Sequence, residues 1–377
     1  MIDPGDFYEA LQQAGVQFYA GVPDSLLKDL CAYFTDHVPA SQHLIAANEG
    51  AALGLAAGWY LGTGKPGVVY LQNSGLGNLV NPLTSLTDPE VYSIPALLII
   101  GWRGEPDVPD EPQHVKQGRI TPALLDCLGI AHATLPMDWP GASLVLADCL
   151  QKLHSGKAPV ALLIRKGTFA PYKLQTKEAN DFPLTREGAI STILESLPED
   201  ALIVSTTGMI SREVYEHRKR HQQGHDRDFL TVGSMGHSSQ IALGLAKAQP
   251  NRSVLALDGD GAALMHLGSL AINGQHCPPN LRHVILNNGA HDSVGGQPTV
   301  GFKVNLPAIA LACGYKSAAT AADAAALEKH LHELMQTPGP CLLEVRVSRG
   351  SRPDLGRPKS TPQENKQALM QRIGSHS

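Results

Sequence analysis

Short apolar runs alternate with helical patterns along the whole chain. Residues 254–257 and 283–286 are apolar runs bounded by glycine or polar residues, which is typical of buried strands in a parallel sheet. Other stretches, such as 186–197 and 262–272, carry apolar residues at helical spacing. Thr361 and Glu364 have the spacing of a capping box, which predicts a helix near the end of the sequence. Because strands and helices alternate in both halves, the pattern predicts an α/β fold with two doubly wound parallel-sheet domains.

A polar, proline-bracketed stretch at 169–183 separates the two halves and is typical of an interdomain linker. We therefore expect a first domain over residues 1–170, a linker over 171–185 and a second domain over 186–377. This linker is too short to contain a further domain, so no middle domain is expected.

The most informative polar residues follow the apolar runs 254–257 and 283–286. The first run leads into Gly259, Asp260 and Gly261, and the second leads into Asn287 and Asn288. Strands of this kind end at the edge of an α/β sheet where ligands bind. Glycines let backbone amides approach an anion, and hard oxygen donors suit Mg²⁺ bridging to phosphate. The sequence predicts a metal–diphosphate site; the alternative is a glycine-rich turn without a ligand.

Glu49 begins a helical stretch, 49–58, that is almost without polar side chains. It is the only acidic residue between Asp36 and Asp88, and no Lys or Arg follows it before Lys65. One interpretation is a carboxylate stabilised by the helix dipole in the first turn. The other is a catalytic carboxyl that donates a proton inside an apolar pocket.

Two further stretches of the first half carry candidate chemistry. Asp24 and Ser25 follow a predicted strand and either cap the next helix, which the sequence alone favours, or face a ligand. A proline-rich polar loop is expected over 105–117. The loop and its flanks place four possible cations near the end of another strand: Arg103, His114, Lys116 and Arg119.

Residues 75–80, GLGNLV, follow a predicted strand and are similar to a dinucleotide-binding fingerprint. The third glycine of that fingerprint is replaced by Val80. A nicotinamide-dependent dehydrogenase is therefore the weaker alternative.

Composition narrows the class of protein. The 377 residues are 43% hydrophobic and 17% charged with a net charge of −5, which fits a folded enzyme and gives no sign of nucleic-acid or membrane binding. The six cysteines show no CxxC pairing and suggest a reducing compartment. Because the first residues do not form a secretory signal, we expect a cytoplasmic protein.

Taken together, Glu49, Met235 and the GDG…NN motif resemble the pyruvate-decarboxylase-like branch of the thiamine diphosphate enzymes. The spacing from Asp260 to Asn288 is 288 − 260 = 28 positions. The resemblance covers both halves and implies a pyrimidine-binding domain followed by a diphosphate-binding domain. It further implies thiamine diphosphate and Mg²⁺ as cofactors and decarboxylation of a small 2-oxo acid.

The resemblance also assigns roles to residues. It implies that Asp260, Asn288 and the main-chain carbonyl of Ala290 hold the metal, and that Glu49 hydrogen-bonds the pyrimidine ring. Met235 would be the apolar wedge beneath the bent cofactor, although it could equally be a core methionine. The remaining cofactor-binding positions implied are Gly208, Ser234, Gly259, Gly261 and Ala262.

The compact length and the motifs GVPDSLL, GSMGH, NNGAHDSVGGQPT and SRPDLGRP are most similar to members that convert 3-phosphonopyruvate to phosphonoacetaldehyde and CO₂ in phosphonate biosynthesis. Members that decarboxylate sulfopyruvate are the alternative. Asp24, His114 and His291 are the implied proton-handling residues. The candidates for holding the substrate anion are Ser25, Arg103, Gln113, Lys116 and Arg119.

Two positions depart from the pattern of the pyruvate decarboxylases. Gln113 stands where those enzymes carry a histidine, and Val294 stands where they carry an acidic residue. In this family the active site is shared between subunits. The resemblance therefore implies at least a homodimer, with no nucleic-acid or membrane partner.

Overall fold

The computed structural model describes residues 1–176, 180–276 and 278–374. The chain forms two compact units, Met1–Glu178 with His291–Gln297, and Ala179–Ala290 with Pro298–Ser377. The expected linker includes residues 177–179, which lie outside the described residues, as do Cys277 and residues 375–377.

Unit 1 contains a parallel sheet of six strands in the order β2-β1-β3-β4-β6-β5. The strands are β1 (Phe18–Gly21), β2 (His43–Ile45), β3 (Gly67–Gln72), β4 (Ala96–Gly101), β5 (Ala131–Thr134) and β6 (Val160–Ile164). The helices are α1 (Pro4–Gln13), α2 (Lys28–His37), α3 (Glu49–Thr63), α4 (Leu76–Pro82), α5 (Pro112–Cys127) and α6 (Trp139–Gly156). Single helical turns at Asn73–Gly75, Leu83–Thr87 and Asp292–Val294 complete this unit among the described residues.

Helices cover both faces of this sheet. Val68 and Tyr70 of β3 belong to a hydrophobic cluster with residues of α1, α2 and α6. The intervening Val69 and Leu71 belong to a second cluster with residues of α3, α4 and α5. Because successive side chains of a strand point to opposite faces, residues 68–71 of β3 are buried on both sides of the sheet.

Unit 2 contains a second parallel sheet of six strands in the order β11-β12-β10-β9-β7-β8. The strands are β7 (Leu202–Ser205), β8 (Asp228–Leu230), β9 (Val254–Gly259), β10 (Leu281–Asn287), β11 (Ser317–Ala321) and β12 (Cys341–Arg346). The helices are α7 (Arg186–Ser196), α8 (Met209–Arg220), α9 (Ser238–Ala248), α10 (Asp260–Met265), α11 (Ser269–His276), α12 (Leu306–Ala312), α13 (Ala324–Gln336) and α14 (Pro362–Gly374).

The two sheets share one topology. When the strands of each unit are numbered from its own first strand, both sheets have the order 2-1-3-4-6-5. The strand order reverses between the first and third strands, which are β1 and β3 in unit 1 and β7 and β9 in unit 2. Ligands of such sheets bind beyond the carboxyl ends of the strands at this switch point. The predicted fold class, two doubly wound α/β domains without a middle domain, is confirmed.

Two predicted elements are wrong in detail. The expected loop 105–117 gives way to α5 at Pro112, which occupies the first turn of the helix. Proline is well tolerated there because the first amides of a helix have no partner within it. The expected helix over 262–272 is interrupted after Met265, and α11 begins only at Ser269, beyond Gly268.

The capping box predicted at Thr361 and Glu364 is present. The Thr361 amide donates to Glu364 Oε2 at 2.8 Å, and the Glu364 amide donates to Thr361 Oγ1 at 3.2 Å. None of the described helices combines the length and the apolar character needed to cross a membrane.

Candidate functional site

Asp24 follows β1 at the switch point of unit 1 and is fully buried. Its Oδ1 accepts a hydrogen bond from Gln72 Nε2 at 2.5 Å, and its Oδ2 accepts one from the Leu26 amide at 2.8 Å. Gln72 ends β3, the strand beside β1. The Asp24–Gln72 contact therefore lies at the position where the topology favours a ligand.

The favoured prediction that Asp24 or Ser25 caps the next helix is wrong. Helix α2 begins at Lys28, and its N-cap residue is Leu27, which makes no side-chain capping bond. Burial raises the pKa of the Asp24 carboxyl, although hydrogen bonds from Gln72 and Leu26 oppose the shift. A Cβ added at Gly101 would overlap Asp24 Oδ2, so glycine is required there.

Arg103 lies beyond β4 and is paired with a carboxylate. Its Nε donates to Asp110 Oδ2 at 2.8 Å, its Nη2 contacts the other oxygen of Asp110, and its Nη1 donates to Ser25 Oγ at 2.8 Å. The hydrogen bonds to Asp110 raise the pKa of Arg103. Because Asp110 compensates its charge, Arg103 is a fixed hydrogen-bond donor rather than a solitary cation.

Gln113 and His114 lie in the first turn of α5 and carry buried polar atoms. Gln113 Oε1 and His114 Nδ1 have no hydrogen-bond partner within residues 1–176, 180–276 and 278–374. Burial, assisted by the nearby Arg103, lowers the pKa of His114 to about 4. The imidazole is therefore uncharged at neutral pH, whereas the sequence allowed a cation at this position.

The structure does not bring Lys116 and Arg119 into this group. Both are exposed, whereas the buried positions of α5 are His114, Gly118, Thr121 and Leu125. Residues spaced in this way share one helix face, which places Lys116 and Arg119 on the other.

Glu49 begins α3, and the side chain of Asn48 caps the helix by accepting the Ala51 amide at 2.9 Å. The Glu49 side chain is only 5% exposed. Its Oε2 accepts a hydrogen bond from Asn78 Nδ2 at 2.6 Å. The position thus combines a helix N-terminus, which favours a carboxylate, with burial, which suits a carboxyl that exchanges a proton.

Gly75 lies directly against this carboxyl, because an added Cβ would overlap Glu49 Oε1. A dinucleotide fingerprint over residues 75–80 would place a pyrophosphate at this glycine-rich turn. The Glu49 carboxyl already occupies that side of Gly75 and would repel it. This contact argues against the dehydrogenase alternative.

Asp260 follows β9 at the switch point of unit 2 and is 3% exposed. Burial raises the pKa of its carboxyl to about 6. Hydrogen bonds from the Thr299 hydroxyl and from the backbone amides of Asn288, Asp260 and Gly261 oppose this increase. No Lys or Arg forms an ion pair with Asp260 in the described part of the chain. A buried carboxylate without a cationic partner fits a bound metal ion.

Asn288 and Ala290 follow β10, which is hydrogen-bonded to β9 with Leu286 opposite Gly259. This register brings Asn288 beside Asp260. The Ala290 amide donates to Asn288 Oδ1 at 3.0 Å, and Arg349 Nη2 donates to the Gly289 carbonyl at 3.1 Å, which fixes the loop. Carboxylate, amide and carbonyl oxygens are the donors that Mg²⁺ prefers, so the set fits this metal.

The remaining cofactor-binding candidates lie on loops around Asp260. Gly208 has a φ of 97° and precedes α8, whose N-terminus faces the ligand edge. Ser234 also has a positive φ, 47°, beside the half-buried Met235. A Cβ at Gly236 would lie 3.1 Å from the Ala262 carbonyl, so this loop packs against α10. Gly259, Gly261 and Ala262 adjoin Asp260 in the chain, and the loop that carries Ser234 and Met235 reaches Ala262 through Gly236. Gly208 follows β7, which is hydrogen-bonded to β9.

His291 belongs to the segment His291–Gln297, which groups with unit 1. The His291 amide donates to the Gln297 carbonyl at 2.8 Å, and Gln297 Nε2 donates to the Lys28 carbonyl at 3.2 Å. Burial lowers the pKa of His291 to about 4, so its imidazole is uncharged at neutral pH.

Sequence reasoning missed four contacting side chains at these sites. They are Gln72, Asn78, Asp110 and Thr299. Gln72 carried a usable signal, because it ends a predicted strand at the same sheet edge as Asp24. The others depend on which helices and loops pack together, which the chain order does not reveal.

The chain matches two family models. "Thiamine pyrophosphate enzyme, N-terminal TPP binding domain" matches residues 6–124, and "Thiamine pyrophosphate enzyme, C-terminal TPP binding domain" matches residues 206–345. The chain is 40% identical to a phosphonopyruvate decarboxylase of Streptomyces viridochromogenes, covering 97% of this chain and 93% of the relative. A phosphonopyruvate decarboxylase of Streptomyces hygroscopicus is also 40% identical, with 97% and 92% covered. A sulfopyruvate decarboxylase of Methanosarcina acetivorans is 30% identical, with 82% of each chain covered.

Proposed function

The chain belongs to the thiamine pyrophosphate (thiamine diphosphate) enzymes and is a carboxy-lyase, and we propose that its substrate is 3-phosphonopyruvate. The products would be phosphonoacetaldehyde and CO₂, formed without oxidation as a step of phosphonate biosynthesis. The observation that carries the proposal is the 40% identity over 97% of the chain to a phosphonopyruvate decarboxylase. The sulfopyruvate decarboxylase is 30% identical over 82% of the chain, which makes sulfopyruvate the second candidate substrate.

Thiamine diphosphate supplies a nucleophilic thiazolium carbon and an electron sink for decarboxylation. In unit 2, Asp260, Asn288 and the Ala290 carbonyl would hold Mg²⁺. The lone carboxylate of Asp260, buried without a cationic partner in the described chain, supports this assignment. Backbone amides at Gly208, Gly261 and the start of α8 would bind the diphosphate.

Glu49 of unit 1 would exchange a proton with the pyrimidine ring. Asn78 donates to one carboxyl oxygen, which orients the group, and Gly75 leaves room for the other. The buried start of α3 keeps water from this carboxyl. The half-buried Met235 of unit 2 is proposed as the apolar support of the cofactor.

Proton transfer to the substrate is assigned to Asp24, His114 and His291. Burial raises the pKa of Asp24 and lowers the pKa of both histidines to about 4. Both imidazoles are thereby uncharged at neutral pH, and the raised pKa shifts Asp24 toward the protonated form that a proton donor needs. Gln72 and the Leu26 amide hold Asp24 in a fixed orientation.

We assign binding of the substrate anion to the polar residues around Arg103. Ser25 and Arg103 are already hydrogen-bonded to each other. Gln113, in the first turn of α5, could donate to the anion through its amide Nε2. Lys116 and Arg119 are exposed and are therefore the weaker candidates for binding the substrate anion.

We further propose that the enzyme is a homodimer or a larger homo-oligomer. Helix α3, which begins at Glu49, exposes an apolar surface on which Leu61 is 75% exposed. Gly54, Gly58 and Gly62 recur every four residues, and an added Cβ at each would meet no atom within 4 Å. A helix face of this kind allows close approach of a second subunit.

Complementation tests whether Glu49 of one subunit and Asp260 of another complete one active site. Glu49→Gln and Asp260→Ala chains, each inactive, are co-expressed with different tags and purified as the mixed dimer. If the site is shared, one of its sites contains both native residues, and we expect about half of the wild-type activity. If each site forms within one chain, the mixed dimer has no intact site and stays inactive.

The cytoplasm is the proposed location. The described cysteines Cys31, Cys127, Cys149, Cys313 and Cys341 are all free thiols. Free thiols suit a reducing compartment.

The substrate is tested by measuring CO₂ release from 3-phosphonopyruvate, sulfopyruvate and pyruvate side by side. NADH absorbance followed in the same reaction separates decarboxylation from the dehydrogenase alternative, which would change that absorbance.

A further inference from the structure

Three side chains that commonly bind metals meet in unit 2 where α7 and α8 both end. Glu195 lies in the last turn of α7, while His217 and His221 lie one turn apart at the end of α8. One nitrogen or oxygen atom of each side chain lies within 4.8 Å of the others. The trio is at the opposite end of α8 from Gly208, about 15 Å away along the helix. It is therefore separate from the Asp260 site.

The hydrogen bonding of His221 prepares it to bind a metal. Its Nδ1 lies 2.9 Å from the His217 carbonyl oxygen, which can only accept, so Nδ1 carries the proton. The lone pair is then on Nε2, which faces Glu195 Oε1 at 4.0 Å. Donation of the second ring nitrogen to a backbone carbonyl is the usual arrangement of metal-binding histidines.

His217, the other histidine of the trio, is buried and has a ring nitrogen without a hydrogen-bond partner in the described parts of the chain. Its side chain is 97% buried, with 3% exposed, and its Nδ1 has no hydrogen-bond partner in the described parts of the chain. Its ring centroid lies 4.2 Å from that of His221. A bound metal ion would satisfy the unpartnered nitrogen of this buried imidazole.

Charged groups of both signs lie next to the trio. Arg218 pairs with Asp228 at 3.1 Å, Lys219 with Glu216 at 3.6 Å and Arg220 with Glu187 at 2.8 Å. Each of these three cations is paired with a carboxylate, although Arg352 shares Glu187 and Glu216, and none of the three is paired with Glu195. The carbonyl ends of α7 and α8 add partial negative charge at the same place.

We propose that Glu195, His217 and His221 bind one divalent transition-metal ion, best matched by Zn²⁺. The bound ion would link α7 to α8. Two imidazoles and a carboxylate are a common zinc donor set, with a fourth position for water, whereas Mg²⁺ prefers oxygen donors alone. Tetrahedral zinc places its ligand atoms about 3.3 Å apart. The exposed side chains of Glu195 and His221 can close the remaining gap by small rotations.

The test is a titration of the tag-free full chain with Zn²⁺ in the presence of thiamine diphosphate and Mg²⁺. We expect one Zn²⁺ per chain with a Kd of about 1 μM or lower. We expect His221→Gln and Glu195→Gln each to weaken binding about tenfold or more. Because both side chains are exposed, these variants should keep the wild-type circular dichroism and cofactor affinity.

His330→Gln is the matched control. His330 Nδ1 contacts Glu333 at 2.8 Å, and both residues lie in the single helix α13. The substitution therefore removes an exposed histidine–carboxylate pair that does not join two helices. Its Zn²⁺ affinity should equal that of the wild type. Absence of stoichiometric Zn²⁺ binding, or binding that His221→Gln and His330→Gln affect equally, would overturn the proposal. With Co²⁺ as the probe, visible absorption bands lost in His221→Gln would support it, and bands unchanged in that variant would refute it.

Discussion

Replacing Glu49 by Gln should lower kcat by about 10²–10⁴-fold, the usual contribution of a general acid or base. Gln has the same shape and keeps a carbonyl oxygen that can accept the hydrogen bond from Asn78. It cannot exchange a proton as a carboxyl does. The start of α3 should therefore stay intact while proton transfer to and from the cofactor is lost. We expect cofactor affinity to change by less than about threefold.

The measurement is steady-state kcat together with thiamine diphosphate binding by titration. Glu9→Gln, on the exposed side of α1, makes the same chemical change outside the site and should behave as the wild type. Near-normal kcat in Glu49→Gln would contradict the assigned role. Loss of cofactor binding together with loss of the helical circular dichroism signal would instead identify Glu49 as a structural carboxylate.

Replacing Asp260 by Ala should weaken Mg²⁺-dependent binding of thiamine diphosphate by about a hundredfold or more, since a lost contact to a charged group costs about 3 kcal/mol. The carboxyl is buried, with Thr299 and backbone amides as its hydrogen-bond donors. Its removal takes the only carboxylate from the proposed metal ligands, which leaves the neutral oxygens of Asn288 and Ala290.

Titration of thiamine diphosphate at fixed Mg²⁺, and of Mg²⁺ at fixed thiamine diphosphate, would measure the loss. Glu328→Ala removes an exposed carboxylate from α13 of the same unit and serves as the control. Unchanged affinity in Asp260→Ala would refute the metal assignment. Equal losses in both variants would show a general effect of charge rather than a ligand role.

The main features of the fold could be predicted because they follow from local patterns. Strands β9 and β10 each contain a short apolar run, 254–257 and 284–286, as expected for strands buried on both faces. Asp260 and Asn288 follow these strands directly, so their convergence required only that the strands be parallel neighbours. The capping box of α14 is equally local, because Thr361 and Glu364 are three residues apart.

Other features could not be predicted because they depend on packing between distant segments. Arg103 is still proposed to bind the substrate anion, but its ion pair with Asp110 could not be predicted from the sequence. His114 was one of four possible cations, yet burial lowers its pKa to about 4. The burial of His114 depends on the start of α5 at Pro112, a residue first interpreted as part of a loop.

The strand order of each sheet explains where the candidate residues meet. Adjacency of β1 and β3, and of β7 and β9, places Asp24 beside Gln72 and brings the loops that carry Gly208 and Asp260 to one edge. Sequence periodicity indicates that strands exist but carries no information about their order. The switch points could therefore be located only in the structure.

The most direct test of the account is the comparison of CO₂ release from 3-phosphonopyruvate, sulfopyruvate and pyruvate by the full chain. We expect the highest kcat/KM for 3-phosphonopyruvate, with phosphonoacetaldehyde formed in equal amount to CO₂ and no change in NADH absorbance. Activity should require both thiamine diphosphate and Mg²⁺. A higher kcat/KM for sulfopyruvate or pyruvate, or CO₂ release that is independent of added thiamine diphosphate in the cofactor-stripped protein, would contradict it.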